Sequence, residues 1–158
     1  MRPRTVLLVA VLLLWSLFTW GGRIRNTLGD DALSDAERNG ALLLSASFVV
    51  PALLLAVLWW LHSGRTPWTG RPVPPVGGAL RIGTLVFAAW TVAVWTVRGI
   101  DIALFSGYEI GFVLVHSVLA LVAIGLAAAV VRVLLVDRRE PELREQSTTP
   151  SANPQASS

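Results

Sequence analysis

Four long apolar runs, separated by short polar connections, constrain this chain more than any other feature of its sequence. They are 5–20 (TVLLVAVLLLWSLFTW), 41–61 (ALLLSASFVVPALLLAVLWWL), about 82–97, and 109 to about 131. Hydrocarbon offers no partner to a backbone N–H or C=O, and about twenty helical residues cross a bilayer, so runs of this kind fold as membrane-spanning helices. Composition agrees: 54% of the 158 residues are hydrophobic and 15% are charged, too apolar a balance for an ordinary soluble domain. The expected fold is an all-α membrane protein, a four-transmembrane-helix bundle with spans near 5–21, 41–61, 82–98 and 109–131. Residues 1–136 form that domain. The tail 137–158 is charged and then rich in Ser, Thr and Pro, which predicts disorder. The first run follows Arg2 and Arg4 as a signal peptide would. It lacks a small-x-small site before Gly21, and three more spans follow, so it is read as a retained helix.

Local signals place the boundaries. Ser34 and Glu37 have capping-box spacing and predict that the second helix starts before the membrane. Ser106 and Glu109 repeat that spacing ahead of the fourth helix. Pro51 removes a backbone donor and predicts a kink in the second helix. Trp59 and Trp60 suit an interfacial aromatic belt. The connection 62–78 is rich in Pro and Gly and reads as an irregular, partly polyproline-like loop. All thirteen basic residues are Arg, which hints at a GC-rich bacterial genome. Nine of them fall on the N-terminus, the middle loop and the tail, against four on the other two loops. The positive-inside rule then puts both termini in the cytoplasm of a bacterial plasma membrane.

Residues 15–23 (WSLFTWGGR) and 90–98 (WTVAVWTVR) share the pattern Trp-[Ser/Thr]-x3-Trp-x2-Arg. Trp15, Ser16, Trp20 and Arg23 are thereby matched to Trp90, Thr91, Trp95 and Arg98. The helices that follow align on FVVPALLLAV (48–57) and FVLVHSVLAL (112–121), which sets Ala52 against His116. This predicts two parallel helical-hairpin repeats related by an axis along the membrane normal. The competing explanation is an aromatic belt with a flanking Arg, recurring in a Trp-rich chain. Over residues 80–132, Trp90, Trp95, Phe112, Val115, His116 and Leu119 carry a resemblance to small uncharacterised integral membrane proteins of high-GC Gram-positive bacteria, with two or four spans. That resemblance implies location and architecture and no activity.

Helical spacing puts Thr84, Ala88, Thr91, Trp95 and Arg98 on one stripe of the third helix. Glu109, His116, Ala120, Ala123 and Ala127 share a stripe of the fourth. Small-residue stripes let membrane helices approach closely, so His116 is expected to face a neighbouring helix and hydrogen-bond Thr91 or Trp95. Ionisable groups at membrane depth are functional candidates, here a polar cluster of Thr91, Trp95, Arg98, Asp101, Glu109 and His116 open to the outside. A structural account serves as well, with Glu109 as a cap, Arg98–Asp101 as an i,i+3 pair and His116 as packing contact.

Several functions lose support. Without cysteine there are no disulfides, thiol redox chemistry, Fe–S clusters or Cys-based zinc sites. Scattered arginines form no nucleic-acid patch, although they suit anionic lipid headgroups. His62 and His116 lie at opposite membrane faces and cannot ligate one haem. Asp30, Asp31, Asp35 and Glu37 lack the pattern of a calcium loop and read as a solvated acidic loop. The segment 71–75 (RPVPP) reads as a stiff connector. No catalytic triad, phosphate loop or HExxH motif is present. The expectation is therefore a non-enzymatic accessory or scaffold protein with no cofactor or metal, which packs in the bilayer against other membrane proteins or itself. The alternative is a small transporter or channel using the Arg/Asp/Glu/His cluster.

Overall fold

The computed structural model describes residues 3–63, 77–104 and 107–148, with side chains placed for 4–61, 77–104 and 107–136. Ser106, the RPVPP segment and the side chain of His62 lie outside these. Four helices make up the described chain: α1 (Pro3–Leu28), α2 (Asp35–Ser63), α3 (Gly78–Leu104) and α4 (Ile110–Thr148). Each is long and apolar enough to cross a membrane. At about 1.5 Å per residue, the 26 residues of α1 span roughly 39 Å, more than the hydrocarbon core requires.

The helices outrun the apolar segments. α1 continues through Arg23 and Arg25 to Leu28, and α3 runs from Gly78 to Leu104. α4 passes both Val131 and residue 136 and ends at Thr148, so 137–148 is helical where disorder was expected. Arg, Glu and Leu within Asp137–Glu145 favour helix, whereas Pro141 in the same segment does not.

The start of α2 follows the capping-box expectation. The Ser34 N–H and hydroxyl donate to Glu37 Oε2 at 3.0 and 2.6 Å, and the Glu37 N–H approaches Ser34 Oγ at 3.4 Å. The expectation for α4 is corrected. Its first residue is Ile110, and the Glu109 carbonyl accepts from the Val113 N–H at 3.2 Å. Glu109 therefore flanks the helix and is not its third residue. Gly107 holds φ at +59° in the preceding turn, a conformation that costs a glycine little. α2 runs through Pro51 as one helix. The proline leaves the Ser47 carbonyl without its usual donor, while the Ser47 hydroxyl donates to the Leu44 carbonyl at 2.7 Å.

α1 packs on α2 and α3 on α4 as two antiparallel hairpins, and α1–α4 and α2–α3 contacts close the bundle. α1 and α3 are thus parallel and diagonal. The buried positions show that the two hairpins are equivalent at a single offset of 75 residues. On α1, Val9, Leu12, Leu13, Ser16 and Trp20 are buried; on α3 so are Thr84, Phe87, Ala88, Thr91 and Trp95. On α2 the buried stripe is Ser45, Phe48, Ala52, Leu55 and Trp59, and on α4 it is Ala120, Ala123, Ala127, Val130 and Leu134. Every one of these pairs is 75 apart.

This shared offset corrects the alignment of 48–57 on 112–121. Phe48 corresponds to Ala123 and Ala52 to Ala127, while His116 corresponds to Ala41. Apolar letters alone fit either register; burial distinguishes them, because a helix has one inward stripe.

Candidate functional site

Where the equivalent halves of α1 and α3 meet, the repeated residues line the centre of the bundle. Ser16 and Thr91 are buried. Toward the hairpin-turn end, Trp20 and Trp95 touch across the diagonal, with ring centroids 5.9 Å apart and planes at 58°. Trp20 also stacks on Phe48 at 4.2 Å and 8°. Phe48 in turn meets Phe87 and Trp90 at 6.2 and 6.1 Å. The two hairpins differ here, since Trp95 has only the small Ala123 where Trp20 has Phe48.

Arg23 and Arg98 follow three residues after the tryptophans, on the same helical faces. One turn further on, Thr27 and Ile102 are buried again. The arginines thus sit between two buried layers, themselves only partly buried, with 36% of the Arg98 side chain exposed. Arg98 and Tyr108 both lie within electrostatic reach of Arg23. Arg98 pairs with Asp101 at 3.6 Å, a half-exposed i,i+3 contact of small energetic weight. The Nε of Arg23 and the indole N–H groups of Trp15 and Trp20 are buried without a hydrogen-bond partner, as is Nε of Arg38. Another Arg38 nitrogen donates to the Asp30 carbonyl at 3.1 Å.

Several residues of the six-residue polar cluster make contacts within their own helices. Thr91 and Trp95 are buried, and the Thr91 hydroxyl donates to the Phe87 carbonyl of its own helix at 2.9 Å. Arg98 and Asp101 form their pair. Glu109 is exposed at the start of α4. His116 is only half-buried, and it does not bond Thr91 as expected. Its Nδ1 lies 2.9 Å from the Phe112 carbonyl, and its ring stacks on Phe112 at 3.8 Å. Tyr108 continues the stack on Phe112 at 4.3 Å. The inward stripe of α4 holds for Ala120, Ala123 and Ala127 and fails toward the turn, because a carbonyl one turn back on the same helix satisfies the imidazole.

Two hydrogen-bonded links between α2 and α3 had no sequence forecast. The Trp59 indole donates to the buried Thr84 hydroxyl at 3.2 Å, which donates to the Leu80 carbonyl at 2.8 Å. The Trp90 indole donates to the Ser47 hydroxyl at 3.2 Å, which bonds Leu44. In both, a hydroxyl accepts from a neighbouring helix while donating to its own backbone. Tryptophan and hydroxyl residues spaced along apolar helices are the only signal the sequence holds for them. At the opposite end of the bundle, Arg81 donates to the Leu134 carbonyl at 2.6 Å and ties α3 to α4. Among the described residues, no group of three or more His, Cys, Asp or Glu is placed to hold a metal ion. Comparison of the chain with protein-family models, with curated proteins and with solved structures finds no match.

Proposed function

We propose that the chain is a non-enzymatic accessory or scaffold protein of a bacterial cytoplasmic membrane, acting by helix packing against other membrane proteins or a second copy of itself. The observation that carries this reading is where the membrane-embedded polar groups go. Trp59, Thr84, Trp90, Ser47, Thr91 and Ser45 bond neighbouring helices or their own backbone, and so serve packing. Both termini face the cytoplasm on this proposal, from the asymmetry of the arginines. Purification of the full chain in mild detergent, with identification of what elutes with it, tests the reading. Co-elution of a membrane protein or a stable oligomer is expected. A solitary monomer, both in detergent and after crosslinking in native membranes, overturns it.

A further inference from the structure

The diagonal arginines pose an electrostatic problem that packing does not resolve. Both side chains carry a cationic guanidinium group. Arg23 and Arg98 occupy equivalent, partly buried positions of parallel helices, bounded on one side by Trp20 and Trp95 and on the other by Thr27 and Ile102. Two like charges brought close in a partly desolvated place repel, and removal from water deepens the penalty. Asp101, bound to Arg98 at 3.6 Å, offsets at most one of the two charges.

The unpaired hydrogen-bond groups point the same way. Arg23 Nε and the Trp20 indole N–H are both donors, both buried and both without an acceptor, and they lie one turn apart on one face of α1. Trp20 is 5% exposed, so neither water nor lipid reaches it freely. A buried donor left unpaired in a native structure calls for a partner, and here every deficit is of an acceptor. Planar guanidinium groups match the oxygens of a phosphate or carboxylate, and a ligand of this kind would meet both the charge and the donor deficits.

We propose that the hairpin-turn end of the bundle axis is a binding site for an oxyanion of the phosphate class, held between Arg23 and Arg98 with Trp20 at its base. The phosphate belongs either to an anionic lipid headgroup at the membrane surface or to a soluble anion. The site stands on charge and unpaired donors and is independent of the packing role.

Isothermal titration calorimetry on the full chain in neutral detergent tests it, with inorganic phosphate as one probe and phosphatidylglycerol against phosphatidylcholine in mixed micelles as the other. Saturable binding of phosphatidylglycerol alone identifies a lipid headgroup site. Saturable binding of inorganic phosphate identifies a soluble-anion site. In either case Arg23→Gln and Arg98→Gln should each weaken binding on the order of thirtyfold or more, as for removal of one partner of a desolvated ionic contact. Arg25→Gln, at an exposed position two residues from Arg23, should leave it unchanged. Arg23→Lys keeps the charge but not the guanidinium fork, and provides a folded comparison if the glutamine variant is unstable; it should also bind more weakly. Absence of saturable binding to both probes overturns the proposal. So does binding that persists unaltered in Arg98→Gln and Arg23→Lys.

Discussion

Truncation of Phe48 and of Phe112 distinguishes the two possible registers of the repeat. Phe48 is fully buried and touches three aromatic rings, whereas Phe112 is 41% exposed and, among the rings of the described residues, meets Tyr108 and His116 on its own helix and turn. In water, Phe→Ala in a core forfeits both hydrophobic transfer and packing. Between membrane helices the transfer contribution is small, because lipid tails are as apolar as the bundle interior. What remains is the void and the stacking. Removing a buried phenyl ring opens on the order of 100 Å³, which at about 24 cal/mol per Å³ comes to roughly 2.4 kcal/mol. The lost Trp20 stack adds about 1 kcal/mol. Phe48→Ala should therefore cost roughly 3 kcal/mol, and Phe112→Ala less than about 1 kcal/mol. Equilibrium unfolding of the full chain in mixed micelles with rising dodecyl sulfate, followed by far-ultraviolet circular dichroism, measures both. Equal costs, or a larger cost for Phe112→Ala, would refute the 75-residue register and restore the equivalence of Phe48 with Phe112.

Three further outcomes follow from contacts between and within the helices. A Cβ built on Gly83 would lie 3.3 Å from Leu55 Cδ2, so Gly83→Leu should separate α2 from α3 and cost about 1–3 kcal/mol in the same unfolding assay, with Gly83→Ala much milder. Arg81→Gln removes the charge-assisted bond to the Leu134 carbonyl and should cost about 1.5 kcal/mol, with faster amide exchange in α4 around Val136. If instead Arg81 only marks the membrane interface, Arg81→Gln will leave α4 exchange untouched. Nitrogen-15 NMR of His116 should show the Nδ1-protonated tautomer in the neutral ring, and His116→Ala should change stability by less than about 0.5 kcal/mol; a loss of several kcal/mol would restore the interhelical bond expected from periodicity.

The fold was legible from the sequence for a simple reason: hydrocarbon allows few solutions, and four long apolar runs joined by polar connections leave almost only a helical bundle. The repeat was legible in α1 and α3 because Trp, hydroxyl and Arg residues are distinctive letters. It was misread in α2 and α4, where FVVPALLLAV and FVLVHSVLAL are similar in composition but sit three turns apart in register. Leu, Val and Ala satisfy a lipid-facing position and an inward one equally well, so only packing could choose. The polar residues separated along the same line. Ser34 and Glu37 are neighbours in the chain, and their bonding could be foreseen. The partners of Trp59, Trp90 and Arg81 depend on which helices abut. Periodicity alone does not place His116, because the nearest acceptor is a carbonyl on its own helix.

The divergence of the two hairpins at their common axis is itself a packing requirement. Trp20 and Trp95 already meet across the diagonal, so the space beside them holds few further rings. Phe48 takes it on one side, and the equivalent position on the other is Ala123, which is fully buried. A second phenyl ring there would overpack the layer, and a second alanine in place of Phe48 would leave it hollow. Two identical hairpins cannot satisfy both conditions, whereas one large and one small residue can. The arginines do not show this relief: Arg23 and Arg98 remain the same residue at the same level on both sides of the axis. Steric crowding has been resolved by making the halves different, yet like charges have been kept within electrostatic reach of each other, with Asp101 as partial compensation. A bundle shaped only for packing would have an apolar residue at one of those two positions, as it has Ala123 opposite Phe48. The retained pair carries an electrostatic cost that the packing does not require, and such conflicts between local cost and global fold are where function is to be sought.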